Sequence, residues 1–263
     1  MYDTHYVKTS SITEAAKALS AAKDGKLLAG GMTLIPTMKQ RLASPDCLVD
    51  LSGCNLSNIG DQGNSVKIGA MTTHADVANS EIIQKEIPAV AYLAGKIGDR
   101  QVRERGTIGG SVANNDPSAC YPSAVMGLGG IIHTSARNIS AEDFFIGMFE
   151  TALEDGEIIE GISLLKPEKA AYVKFPNPAS RYAMVGVFIA KFDDNVRCAV
   201  TGAGENGVFR CKEIESALST NFSSKALDQV SLSAEGLMND IHAGANYRAS
   251  LIVEMAKRAT AAC

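Results

Sequence analysis

Two pairs of adjacent glycines, far apart in the chain, constrain this sequence more than any other feature. The first is Gly30-Gly31, within Leu27-Leu28-Ala29-Gly30-Gly31-Met32-Thr33. The second is Gly109-Gly110, within Thr107-Ile108-Gly109-Gly110-Ser111-Val112-Ala113-Asn114-Asn115-Asp116. Glycine has no Cβ, so a bulky ligand can lie directly on the backbone at such a place. The amides of Gly109 and Gly110, with those of Ile108 and Ser111, are able to converge into a cup for an anion such as a pyrophosphate. Asn114, Asn115 and Asp116 follow, with side chains suited to sugar hydroxyls. One glycine pair alone is more often a plain turn. Two pairs in separate segments suit one long ligand with a phosphate-rich middle, and a dinucleotide is the natural candidate.

The periodicity around the first pair supports that reading. Ser11-Ile12-Thr13-Glu14 opens an amphipathic helix with a capping box. Lys26 to Ala29 reads as a strand, Thr33 as the cap of a helix running to about Leu42, and Cys47 to Leu51 as the next strand. Pro36 falls in the first turn, where it is tolerated. Strand, glycine turn, helix and strand make a βαβ unit whose turn meets a helix N-terminus, the end that favours phosphate. Ser65 to Ala70 is another strand, Thr73-His74-Ala75-Asp76 a helix start, and Ile87 to Ile97 a helix ending at Gly98. Arg100-Gln101-Val102-Arg103-Glu104-Arg105 reads as a cationic loop, either solvated or in contact with protein, or else neutralising bound phosphates. Helix is expected from Tyr121 to Leu128, and strands from Gly129 to Thr134 and from Gly161 to Leu165.

The pattern changes near Lys166 to Ala170. Three strands (171–175, 183–192 and 196–201) are joined by turns such as Asp193-Asp194-Asn195. Helices then follow over 212–218, 225–238 with breaks, and 245–262. A sheet with helices after it is an α+β arrangement. The division is therefore placed at 1–168, itself about 1–57 and 58–168, and 169–263. Gly202-Ala203-Gly204-Glu205-Asn206-Gly207 fits a nicotinamide fingerprint, but no helix opens at its third glycine. Asn206-Gly207 between two strands is hairpin chemistry instead.

Other classes are disfavoured. A formal net charge of −4 without a long basic run gives no nucleic-acid footprint. No run approaches the about 18 apolar residues of a membrane span, and the start lacks a signal peptide, so a cytoplasmic protein is expected. Six scattered cysteines without Cys-x-x-Cys spacing read as reduced thiols rather than a disulfide frame. With four histidines and no His/Cys cluster, no metal site is expected in this chain.

Four segments in order, Ala29 to Pro36, Gly69 to His74, Thr107 to Gly110 and Arg181 to Val185, resemble the FAD-binding medium subunit of molybdenum hydroxylases. Aerobic carbon monoxide dehydrogenase and, more distantly, xanthine dehydrogenase carry such chains, and the resemblance spans nearly the whole length. It implies a vanillyl-alcohol-oxidase (PCMH) type FAD-binding domain of two α/β subdomains, followed by a small α+β C-terminal domain. It also implies that Ala29, Gly30, Gly31, Met32 and Thr33, with Leu34 beside them, and Thr107, Ile108, Gly109, Gly110 and Ser111 hold the FAD phosphates. Val102, Gly106 and Asn114 would line the adenosine and ribityl path, with Ile159 beside the cofactor. Lys174 would approach the flavin, where a cation stabilises the charge that reduction places on the ring. Tyr182 would cover the isoalloxazine; from its residue type alone it reads as core. Many relatives have aspartate at Cys120; a thiol is a poor acceptor, so that polyol contact is weaker here or is supplied by Asp116. A polar residue often stands where Met32 does, which leaves a backbone contact there.

The function so implied is a redox relay without catalytic acid or base in this chain. A large molybdopterin-binding subunit and a small [2Fe–2S] subunit would be partners in a heterotrimer or a dimer of heterotrimers. The rivals are a self-contained flavin oxidase, with His74 or Cys120 as covalent tether, and an interaction subunit that has lost the cofactor.

Overall fold

Strands Gly25–Leu28 and Cys47–Asp50 lie side by side and parallel, with helix Leu34–Lys39 between them in sequence, as the βαβ pattern requires. Strand His5–Lys8 pairs with the other edge of Cys47–Asp50, giving a three-stranded parallel sheet. The computed structural model describes residues 2–193 and 195–263. Helix Ile12–Ala21 is capped by Ser11, whose hydroxyl accepts from the Glu14 amide, while Glu14 reaches back to the Ser10 amide. Ala15, Cys47, Val49, Leu51, Cys54 and Ile158 form the small core behind this sheet.

The next sheet has five antiparallel strands in the order Ile59–Asp61, Ser65–Gly69, Ile159–Leu165, Ile131–Thr134, Asn138–Ser140. Its central strand comes late in the chain. Between the outer members run helices Pro88–Gly95, Arg100–Arg105, Ile108–Asn114 and Tyr121–Gly127. The arginine segment is thus a helix, not a loop. Asp99 caps it by accepting from the Val102 amide at 3.1 Å.

Strands Lys169–Pro176, Ala183–Lys191, Val196–Gly204 and Gly207–Arg210 make a third, antiparallel sheet. Its strands read as near-continuous apolar runs because both faces are covered. Tyr172, Phe188, Ala190 and Ala199 join the core of the second sheet. Ala171, Val187, Ile189, Cys198 and Val200 face helices Lys212–Thr220 and Ala245–Ala262. Alternation by two along each strand separates these sets. Helix Tyr121–Gly127 is buried along its whole length, and a Cβ at Gly127 would stand 3.0 Å from Phe188. Glycine there lets helix and sheet approach closely.

The Gly204–Gly207 turn is a hairpin, with Gly207 at φ +94°, so the nicotinamide fingerprint is discarded on geometry as well. The turn expected at Asp193-Asp194-Asn195 includes Asp194, which lies outside the described residues. The helix expected over 225–238 is a short 3₁₀ turn, Ser224–Leu227, followed by irregular chain. The Met238 amide donates to the Ala203 carbonyl and Leu237 bridges to Gly204, so this backbone is satisfied by the sheet rather than by a helix. Cys47, Cys54, Cys120, Cys198 and Cys211 are buried and unpaired. Among the described residues, no helix is long and apolar enough to cross a membrane.

Candidate cofactor site

The two glycine segments meet at one cleft of about 990 Å³, at the upper end of the size of small-molecule sites. A Cβ at Gly30 would fall 2.0 Å from the Arg105 carbonyl oxygen and 2.8 Å from the Gly106 Cα. The first turn therefore rests on the backbone that leads into the second. A Cβ at Gly110 would face Ala29 at 3.7 Å.

The two segments offer different things to a ligand. In the first, Gly31 is left-handed (φ +73°), and among the described residues no acceptor faces the amides of Gly30, Gly31, Met32 and Thr33. Successive free amides around such a residue form an anion nest. Thr33 makes no cap bond, so its exposed hydroxyl is left to the cleft. In the second, the amides are already engaged. Ile108 donates to Thr72 O (3.0 Å), Gly109 to Ala70 O (2.9 Å), Gly110 to Thr107 Oγ1 (3.1 Å) and Ser111 to Thr107 O (3.0 Å). Gly109 is required for packing, since a Cβ there would meet Ala70 at 2.6 Å.

Elsewhere in the cleft wall Lys174 points its ammonium to Lys96 O at 2.8 Å, Arg181 O at 3.1 Å and Cys120 Sγ at 3.6 Å. One cation thus joins the loop after helix Pro88–Gly95 to the loop between the first two strands of the third sheet. Tyr182, at the end of that second loop, is 49% exposed and stands in the cleft wall rather than in the core. Burial, then the Asp116 charge, pushes its phenol up. His74 lies under Gly106, 5% exposed, with Nδ1 unpartnered. Burial and then the nearby Arg103 charge push it down to about 4, so the ring is neutral at pH 7.

The geometry calls for a long anionic ligand, and the comparison with known families agrees. Residues 2–166 match the model described as FAD binding domain in molybdopterin dehydrogenase. The chain belongs to that family. It is 32% identical over 268 residues to the nicotine 6-hydroxylase medium subunit of Paenarthrobacter nicotinovorans, covering 96% of this chain and 94% of that one. It is also 32% identical over 271 residues to the carbon monoxide dehydrogenase medium chain of Afipia carboxidovorans, covering 97% and 94%. Among solved structures, a chain of reconstituted CO dehydrogenase from Oligotropha carboxidovorans superposes with a TM-score of 0.90 at 30% identity, over 99% of this chain and 98% of that one. A chain of quinoline 2-oxidoreductase from Pseudomonas putida 86 gives 0.89 at 26% identity, over 99% and 96%.

The cofactor of this FAD-binding family fits the residues present. The nest at Gly30–Thr33 suits its phosphates, the Gly30 contact with Arg105 leaves no room for a side chain, and Lys174 supplies a fixed cation. Ala29, Met32, Leu34, Val102, Gly106, Thr107, Gly109, Gly110, Ser111, Asn114, Cys120, Ile159, Lys174 and Tyr182 line the cleft with Gly30, Gly31 and Thr33. Ile108 does not. Its side chain is fully buried in the main core, because an apolar residue opening an inward-facing helix packs rather than binds.

Two other expectations change. None of Arg100, Arg103 and Arg105 lines the cleft, and the Arg103 guanidinium donates to the Ile97 carbonyl, so phosphate neutralisation by these arginines is not what the fold arranges. Asn115 turns away from the cleft, buried and left-handed (φ 41°), and its amide nitrogen donates to Gly147 O and Glu150 O. Asp99, not singled out from the sequence, also lines the cleft, as does Arg181, the first residue of the fourth resembling segment. Arg181 packs its stem across Gly98.

Proposed function

We propose that this chain is the flavin-bearing relay of a molybdenum hydroxylase, taking electrons from [2Fe–2S] clusters in a small partner and passing them to an external acceptor. A large molybdopterin-binding partner would oxidise the substrate. The observation that carries the reading is one cleft whose wall holds both an anion nest and Lys174. Bound FAD would supply a group able to take electrons one at a time from such clusters and to release them singly or in pairs. The residues of this chain hold and orient that group. The Gly30–Thr33 amides receive phosphate charge, and Thr107 and Asn114 border its path. Lys174, fixed by the Lys96 and Arg181 carbonyls, favours the reduced ring. Tyr182 shields one side of the cleft. Residues 1–168 would form the FAD-binding domain and 169–263 the C-terminal domain that completes its ring end.

Affinity isolation of the tagged chain from its native host tests this. The result expected is co-purification with a large chain containing molybdenum and a small chain containing iron. The flavin should bleach when the substrate of the complex is added. A chain that purifies alone, carries FAD and oxidises a substrate by itself would establish the self-contained oxidase instead.

A further inference from the structure

The arginines of this chain divide in two. Arg137, Arg197, Arg210, Arg248 and Arg258 each meet a carboxylate within 3.4 Å, and Arg41 lies over the Tyr2 ring. The remainder, Arg100, Arg103, Arg105 and Arg181, have no ion-pair partner among the described residues. Arg100, Arg105 and Arg181 are exposed; Arg103 is half-buried, with its guanidinium turned to the Ile97 carbonyl at 2.6 Å. Lys96 is exposed too, and its ammonium stands 5.0 Å from the centre of the exposed Tyr92 ring. Asp99 and Glu104 are the acidic residues of the stretch. Asp99 accepts the Val102 amide, and neither carboxylate pairs with an arginine. In a chain of formal net charge −4, residues Lys96 to Arg105 with Arg181 are therefore a local cationic face.

These residues make one surface although Arg181 is remote in sequence. Its stem crosses Gly98, where a Cβ would fall 2.8 Å from the Arg181 Cβ. Lys174 joins Lys96 O to Arg181 O through its ammonium. The surface thus adjoins the part of the cleft wall that carries Lys174, while Arg100, Arg103 and Arg105 stay outside the cleft. Like charges gathered without counter-charges repel one another and add nothing to the fold. A partner of opposite sign turns that repulsion into attraction.

We propose that this cationic face seats the [2Fe–2S] partner subunit through an acidic surface of that partner. The inference rests on the relay reading above, in which the flavin ring lies beside Lys174. An electron donor must come close to that ring, and the cationic face borders the same wall. The sign of the charge agrees: a [2Fe–2S] cluster held by thiolates is anionic, and more so when reduced. Attraction of this kind raises the association rate and orients the encounter. The Tyr92 ring under Lys96 adds apolar area of the sort found in interfaces.

The test uses the flavin-loaded full chain and the small iron-containing chain released from the complex. Association and dissociation rates are measured at low and at physiological ionic strength, and stopped-flow absorbance follows electron transfer from the reduced cluster to the flavin. Arg100→Glu with Arg105→Glu should slow association about tenfold at low salt and flatten its salt dependence, with a smaller change in dissociation. Arg100→Gln with Arg105→Gln should shift association the same way by less. Lys17→Glu with Lys23→Glu, an equal change of net charge elsewhere on the surface, should have little effect. FAD content and thermal melting show that each variant is folded and loaded, and where the charge reversal does not fold the glutamine pair decides. Association of the arginine variants at the wild-type rate, or a slowing no greater than that of the lysine control, overturns the proposal. So does an effect confined to the large chain, or to a small anionic acceptor such as ferricyanide. A wild-type chain that associates with no iron–sulfur chain would contradict the relay reading itself. One that associates with it regardless of salt and of these arginines contradicts this inference alone.

Discussion

A methyl group at Gly30 would occupy the space of the Arg105 carbonyl oxygen, 2.0 Å away, and backbone on both sides has little freedom to yield. Gly30→Ala should therefore cost about 1–3 kcal/mol of stability, as overpacking does, and reduce FAD content; urea unfolding and flavin absorbance measure both. Gly110 differs, since its Cβ would meet no backbone, only the Thr107 hydroxyl at 3.0 Å, a side-chain atom with some freedom to give, and Ala29 at 3.7 Å, while the remaining space there faces the cleft. Gly110→Val should leave the fold largely intact and expel FAD. Lys174→Met removes the cation held by the Lys96 and Arg181 carbonyls. The flavin midpoint potential, followed by dye-coupled reduction, should become more negative, because the charge gained on reduction loses its counter-charge.

Two buried groups predict how stability responds to acid. His74, pushed down to about 4 by burial and by Arg103, stays neutral in the folded chain while the unfolded chain takes up a proton near 6.5. Its contribution is thus fully present above about pH 6.5 and declines toward pH 4. Burial pushes Glu157 up. This is outweighed by hydrogen bonds from Arg137, the Glu154 amide and Thr134 and by the Arg137 charge, which hold it near about 2. Its contribution is present above about pH 4.5 and declines toward pH 2. Urea titrations across pH should show both declines, with His74→Leu flattening the upper one and Glu157→Gln the lower. A stability flat from pH 7 to 4 in the wild type would contradict the His74 assignment.

Among the elements, the hairpin of Phe145–Gly147 and Glu150–Thr151 has no sequence signature that ties it to the second glycine segment. Asn115 makes that tie, through both hydrogen bonds of its side-chain amide nitrogen and by accepting the Phe149 amide on its main-chain carbonyl oxygen. Asn115→Ala removes the two hydrogen bonds to Gly147 O and Glu150 O and puts alanine in a left-handed conformation, at a cost of about 1–3 kcal/mol. Hydrogen exchange should show residues 145–151 opening first. The βαβ unit, the capping box at Ser11 and helix Ala245–Ala262 were legible because local chemistry and burial agree in them. The segment after Leu227 was not, because its backbone partners are Ala203 and Gly204 on a distant strand. The arginine helix was misread because charge drew attention from Asp99, its cap.

At the scale of the whole molecule, the third sheet does more than follow the FAD-binding region. It supplies Lys174 and Tyr182, and through Thr201 it grips the loop bearing Asp116 and Cys120. The cleft was legible because its two glycine segments are strong local signals. Which amides stay free was not, since the Ala70 and Thr72 carbonyls that occupy those of Gly109 and Ile108 are set by tertiary packing. The central claim is that Gly30 and Gly110, remote in sequence, border one flavin nucleotide. Its most direct measurement is the flavin content of the purified full chain supplied with FAD. The account predicts about one FAD per wild-type chain, bleached by dithionite, and almost none in folded Gly110→Val. A folded wild type that takes up no flavin, or a Gly110→Val chain that keeps its full complement, would contradict it.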